Sequence, residues 1–257
     1  IVVAKLGSPL AIGIGENEYF IASDASPFIE FTNNAVYLED EEMAIIRIGK
    51  EIKMRKIKDD AIAYPNILEL QLNLEEIEKG GYDHFMLKEI YEQPKVIKAT
   101  MEGRVTKTRV LEQALGTEAA NLLENVRHVQ IIACGTSYHA GMVARYWIEE
   151  LAGVACSVEV ASEFRYRKHV IQQDTLFLCI SQSGETADTL AALRQAKKAG
   201  FRAALAICNV PGSSLVRESD LVIMTQAGPE IGVASTKAFT TQLTALLIFT
   251  LALARQN

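Results

Sequence analysis

The stretch Leu176-Phe177-Leu178-Cys179-Ile180-Ser181-Gln182-Ser183-Gly184-Glu185-Thr186 decides how the chain is read. Its first five residues form an unbroken apolar run, the pattern of a strand buried on both faces. Residues 187–199 follow with Ala and Leu at helical spacing. Between strand and helix lie the hydroxyls of Ser181, Ser183 and Thr186. The free N–H groups of a first helical turn, and the positive end of its dipole, favour an anion. Serine and threonine hydroxyls can donate to the oxygens that the backbone leaves unpaired. The pattern predicts a phosphate-binding loop. The alternative on the same residues is a simple cap, with Ser183 or Thr186 closing the helix and Glu185 relieving its dipole.

Working outward, short apolar runs at 129–134, 157–161, 175–180, 203–208 and 221–224 alternate with helical patterns at 138–151, 187–199 and 236–254. Helices are also expected at 85–97, interrupted near Pro94, and at 110–126. Alternating strands and helices call for a doubly wound, mostly parallel α/β sheet. In such sheets ligands sit at the carboxyl ends of the strands. Three strand-end loops are unusually polar: residues 134–139, 181–186 and 228–237. Their convergence on one sheet edge points to a polyhydroxy, phosphorylated ligand.

Residues 1–58 read differently. Runs at 8–14 and 19–23 flank Gly15-Glu16-Asn17, a hairpin signal, and further strand runs occupy 35–38, 43–48 and 52–57. No helix separates them, so they are antiparallel strands, too few for a complete sandwich. They read as the end of a domain whose beginning is absent. Residues 59–82 are polar, with Pro65 and Gly80-Gly81, and read as a linker in which Leu68, Leu70, Leu72, Leu74 and Ile77 could dock. Charge divides the chain at the same place. Residues 1–82 hold 15 acidic and 8 basic side chains, a net of −7, whereas the rest hold 17 and 18, a net of +1.

The 257 residues are 49% hydrophobic and 23% charged, with a net charge of −6. That composition suits a globular protein and makes nucleic acid a poor partner. Cys134, Cys156, Cys179 and Cys208 show no metal spacing and read as reduced, buried thiols of a cytoplasmic protein. Residues 238–254 are the most apolar segment. About 17 residues with several threonines read as a buried helix and not as a membrane span.

Five stretches carry a resemblance: Ala-Cys-Gly-Thr-Ser-Tyr-His at 133–139, Ser-Gln-Ser-Gly-Glu-Thr-Ala-Asp-Thr at 181–189, Glu-Ile-Gly-Val-Ala-Ser-Thr-Lys-Ala at 230–238, Glu-Ile-Tyr-Glu-Gln-Pro at 89–94 and Cys-Asn-Val-Pro-Gly-Ser-Ser at 208–214. Together they resemble the sugar isomerase (SIS) domain, and more closely the glutamine–fructose-6-phosphate aminotransferases, or glucosamine-6-phosphate synthases. Gly7-Ser8-Pro9-Leu10 and Ala22-Ser23-Asp24 resemble the end of that family's N-terminal glutaminase domain. The resemblance implies the C-terminal part of a glutaminase domain of the N-terminal-nucleophile type at 1–58, a linker at 59–82, and a first SIS subdomain, Rossmann-like, at 83–257.

It further implies synthesis of glucosamine 6-phosphate from fructose 6-phosphate and glutamine, without a cofactor or metal, by a homodimer that pairs through its SIS domains. Carried over residue by residue, Ser137, Ser181, Gln182, Ser183 and Thr186 match the phosphate binders. Thr136, Val233 and Ser235 match positions that contact the sugar. The family's cysteine nucleophile, glutamate base, ring-opening histidine and Schiff-base lysine match no position here, so no catalytic residue is assigned and these residues alone are expected to be inactive.

Other candidates weigh less. His139 suits a surface or capping role, and His84, His128 and His169 show no metal spacing. Lys237 suits a structural or electrostatic role over a Schiff base, because a lysine must be desolvated to act as a nucleophile. Two rival readings are a sugar-phosphate-sensing regulator and a single-domain ketose–aldose isomerase. The first should carry a basic helix-turn-helix, and the second has no need of the acidic strands at 1–58.

Overall fold

Residues of one strand alternate between two separate cores, and that alternation organises the second half of the chain. A computed structural model describes residues 1–7, 9–23, 25, 27–28, 31–70 and 79–256. They form two units, Ile1–Gly80 and Gly81–Asn257.

In the second unit five parallel strands, β9 (His128–Ala133), β10 (Ala155–Val160), β11 (Thr175–Ser181), β12 (Ala203–Cys208) and β13 (Leu221–Met224), lie in the order β10-β9-β11-β12-β13. Every residue of β11 is buried. Leu176, Leu178 and Ile180 join one core with Val129 and Ile131 of β9 and Leu205 and Ile207 of β12. Phe177 and Cys179 join the opposite core. A strand wrapped on both faces must be apolar throughout, which is why the run at 176–180 has no polar alternation.

Helix α3 (Gly135–Trp147) and helix α7 (Lys237–Gln256) cover the first face through Ala140, Ala144, Leu246 and Phe249. The second face is covered by α4 (Ala161–Tyr166), α5 (Ala187–Ala199) and α6 (Ser214–Glu218) through Phe164, Leu193 and Leu215. The sheet is doubly wound. Among the described residues α7 is the one helix long and apolar enough to cross a membrane, yet 61% of that stretch is buried inside the unit. Its threonines are satisfied by their own helix: Thr241 Oγ1 donates to Lys237 O at 2.9 Å and Thr250 Oγ1 to Leu246 O at 2.8 Å.

Two helical expectations are corrected. Helix α1 (Phe85–Met101) runs unbroken through Pro94. Proline leaves the carbonyl four residues back without its N–H partner, and Gln93 Nε2 donates to that Ile90 carbonyl at 3.0 Å instead. Residues 110–126 do not form one helix. A 3₁₀ turn at Glu112–Leu115 ends at Gly116, with φ 132°, before the short α2 (Ala119–Leu123). The short helices α4 and α6 carry too few turns to show a period.

The first unit is two four-stranded antiparallel sheets. One has the order β1 (Val2–Lys5), β5 (Glu42–Ile45), β6 (Lys53–Lys56), β7 (Ile62–Ala63). The other has the order β3 (Tyr19–Ala22), β2 (Ala11–Ile14), β4 (Asn34–Tyr37), β8 (Ile67–Glu69). The hairpin expected around Gly15-Glu16-Asn17 is present, pairing Ile14 with Tyr19. Ile12 and Val36 of one sheet meet Ala44 and Met54 of the other in a shared core, so the strands do make a sandwich. The count from sequence fell short because β1 opens the chain and β7 and β8 come from the stretch read as linker. Ser8, Asp24, Leu72, Leu74 and Ile77 lie outside the described residues.

Candidate functional site

Strand order fixes where a ligand can sit. The chain leaves β9 for β10 on one side and returns to β11 on the other, so the direction of winding reverses between β9 and β11. The helices after those two strands, α3 and α5, pack on opposite faces. Such a switch point leaves a crevice at the carboxyl ends of the strands. Register sets the loops side by side there: Ala133 pairs with Ile180, and Ser181 with Cys208. Residues 134–139, 181–186 and 209–214 therefore leave one edge together.

The loop at 181–186 is shaped by its own hydroxyls. Ser181 Oγ, buried, accepts from Gly184 N at 3.0 Å and lies 3.3 Å from Thr186 Oγ1. Ser183 Oγ accepts from Glu185 N at 3.2 Å. Gly184 has φ 68°, and a Cβ there would strike Ser213 and come 2.7 Å from Cys208 Sγ. Thr186 occupies the cap position of α5, but its side chain makes no capping bond. In the same first turn Thr189 is buried with its hydroxyl unpartnered.

The capping alternative is therefore corrected: neither Ser183 nor Thr186 closes α5. Glu185 does not complement α5 either. Its Oε1 accepts from Ser214 N, at the start of α6, at 2.7 Å. The N-terminus of α5 thus has no side-chain cap on its backbone donors, with Asp188 the one acidic side chain in its first turn.

The N-terminus of α7 is in the opposite state. Glu230 Oε1 accepts from Thr236 N at 2.9 Å and from Ala238 N at 3.0 Å, while Ser235 Oγ donates to Glu230 Oε2 at 2.9 Å. An internal carboxylate already sits where an anion would bind. Glu89 on α1, 2% exposed, accepts from Ile231 N at 2.6 Å and Gly232 N at 3.0 Å, which seats this loop on the helix. Lys237 Nζ meets Glu92 Oε2 at 2.7 Å with the lysine side chain 4% exposed. That ion pair gives Lys237 a structural contact, but the lysine is buried, so the need for desolvation does not separate a structural role from a Schiff base as expected from sequence. Asn209 ties the ends of β12 and β13: Nδ2 donates to Gly228 O at 2.8 Å, and Oδ1 accepts from Ala227 N at 2.7 Å and Thr225 Oγ1 at 3.0 Å.

The sequence-derived candidates thus divide. Ser137 lies buried in the first turn of α3, with Thr136 exposed beside it. Ser181, Gln182, Ser183 and Thr186 share one loop on the neighbouring strand. Val233 is fully exposed, and Ser235 is turned onto Glu230. Glu89, Asn209 and Glu230 lie in stretches that carried the resemblance but received no role from the sequence, because their partners are set by tertiary contacts.

The remaining groups are structural. Burial pushes the Cys179 and Cys208 thiols up, and burial with Glu149 nearby pushes Cys156 up to about 12. Burial also lowers His128, whose Nε2 lies 2.9 Å from Ser157 Oγ. Among the described residues no three His, Cys, Asp or Glu side chains are grouped to hold a metal. A cavity of about 30 Å³ lined by His128, Gln130, His169 and Thr175 lies at the amino ends of β9 and β11, away from these loops.

Comparison with known proteins decides the family, because the SIS domain family matches residues 122–252. The chain belongs to the SIS domain family. This SIS domain and the antiparallel unit before it align together with glutamine–fructose-6-phosphate aminotransferases [isomerizing]. The protein of Pseudomonas syringae pv. tomato is 59% identical over 253 residues, and that of Pseudomonas putida 58% over 257. Each match covers 98% of this chain and 41% of the relative, so the chain spans about two-fifths of those proteins' length. Among solved structures, the C-terminal domain of glucosamine-fructose-6-phosphate aminotransferase from Francisella tularensis is similar, at 56% identity and a TM-score of 0.68. That match covers 70% of this chain and 50% of that one.

Proposed function

We propose that this SIS domain binds the phosphate of fructose 6-phosphate within a glutamine–fructose-6-phosphate aminotransferase, the enzyme that makes glucosamine 6-phosphate from that sugar and glutamine. The open N-terminus of α5 carries the reading: three hydroxyls surround an uncapped first turn, while carboxylates of the chain itself close α6 and α7. In this arrangement Ser181, Gln182, Ser183 and Thr186, with Ser137 from the adjacent loop, hold the phosphate without a cationic side chain. Thr136, Val233 and Ser235 face the sugar. The antiparallel unit is the end of the glutaminase domain, and the groups that perform chemistry lie outside these 257 residues. The enzyme works as a cytoplasmic homodimer.

The test is Ser183→Ala in the full-length enzyme. Losing one hydrogen bond to a charged group costs about 1.5–3 kcal/mol, or roughly 10- to 150-fold in affinity for fructose 6-phosphate. Weak binding of unphosphorylated fructose stays unchanged. Calorimetric titration beside a melting curve decides: a variant that melts lower but binds the sugar phosphate as before leaves the loop as scaffolding only.

A further inference from the structure

The hydroxyls assigned to the two ends of the ligand are wired with opposite polarity. At the phosphate loop, Ser181 Oγ and Ser183 Oγ each accept a hydrogen bond from a backbone N–H, of Gly184 and Glu185. A hydroxyl has one proton to give and two lone pairs. With a lone pair engaged by the backbone, Ser183 keeps its proton to donate outward; Ser181 and Thr186, 3.3 Å apart, share one proton between them and leave the other to donate outward, which suits an anion. At the loop before α7 the bond runs the other way. Ser235 Oγ gives its proton to Glu230 Oε2 at 2.9 Å, and a carboxylate can only accept. Ser235 is left with lone pairs alone.

We propose that Glu230 is a specificity-determining positioning residue: by taking the Ser235 proton it makes that end of the site accept hydrogen bonds from sugar hydroxyls and refuse a second anion. The inference rests on the proposed sugar-phosphate reading and adds a direction to it. Glu230 is well suited to hold this state, because its other oxygen is anchored by Thr236 N and Ala238 N and cannot swing away without uncapping α7. The ligand is then sorted by the donors and acceptors it offers, with its phosphate at the start of α5 and its hydroxyl-rich end at Ser235.

A double-mutant cycle in the full-length enzyme, read by calorimetric titration, tests this. Glu230→Gln keeps an oxygen for the two backbone donors but places an amide N–H₂ against Ser235, which frees the serine's proton. In the parent, Ser235→Ala should weaken fructose 6-phosphate about tenfold, the size of one neutral hydrogen bond. Glu230→Gln should do the same, and adding Ser235→Ala to it should cost nothing further. Inorganic phosphate, held by the 181–186 loop and Ser137 and not by Ser235, should bind all four proteins equally. A Ser235→Ala loss of the same size in both backgrounds overturns the proposal, as does unchanged sugar-phosphate affinity in Glu230→Gln. Should Glu230→Gln fail to fold, fructose 6-phosphates with one hydroxyl replaced by hydrogen or by fluorine answer the question in the unaltered protein. At the position facing Ser235 both replacements should lose about tenfold, since fluorine cannot donate, and a fluoro compound that binds like the parent sugar overturns the idea. Failure of the underlying reading looks different: Ser183→Ala and Ser235→Ala would then both leave fructose 6-phosphate binding untouched.

Discussion

Gly184 shows what a single position contributes at the residue scale. It turns the chain left-handed at φ 68° while lying against Ser213 and Cys208. Gly135, at the start of the neighbouring loop, is also left-handed at φ 56°, but an added Cβ there meets nothing within 4 Å. Alanine at Gly135 therefore costs only the backbone penalty of about 1–2 kcal/mol. Alanine at Gly184 adds an overpacking cost of about 1–3 kcal/mol to the same penalty. Urea unfolding of the two variants should rank them in that order, and equal midpoints would show that the Ser213 contact gives way freely. The serines and threonine around Gly184 were legible in the sequence because they lie within six residues and precede a helix. Glu89 was not, since it reaches Ile231 across 142 residues of chain. Glu230 was hidden for a related reason. Local grammar points to Ser235 or Thr236 as the cap of α7, and only the folded loop brings a carboxylate six residues upstream onto those N–H groups.

At the scale of elements, the parallel sheet was readable and the helices were readable in part. Strands β9 to β13 announce themselves as apolar runs because both faces are covered. Helix α1 was misread at Pro94, where the rule that proline breaks helices met a local remedy in Gln93. Pro94 is exposed, so replacing it removes no core contact. Pro94→Ala restores a backbone N–H to Ile90 O and removes a helix-interior penalty of about 3 kcal/mol, part of which Gln93 already offsets. A gain of about 1–3 kcal/mol in urea unfolding is expected on those grounds. No gain would mean that the helix was already bent to suit proline.

At the scale of the whole molecule, apolar side chains remain exposed on α7, which covers one face of the sheet, and on α1, which packs against α7. Met86, Leu87, Ile90 and Tyr91 on α1 are exposed, as are Leu247 and Leu251 on α7. Exposed apolar side chains grouped on two packed helices are what association surfaces carry, and they support the proposed homodimer. Light scattering at micromolar concentration should give twice the monomer mass, and a monomer alone would count against pairing through these helices. Strand partners also lie at very different separations along the chain. In the β2–β3 hairpin Ile14 meets Tyr19, whereas the β9–β11 ladder joins His128 to Thr175, 47 residues on. Closing a long loop must precede any reward from the ladder, so parallel sheets assemble slowly. The β2–β3 hairpin and the parallel sheet should consequently refold on separate clocks. Pulsed hydrogen exchange should protect residues 11–22 before 175–181, and the fluorescence of Trp147, the one tryptophan, should rise with the later phase. During that interval the hairpin is finished while the anion-binding edge has yet to exist.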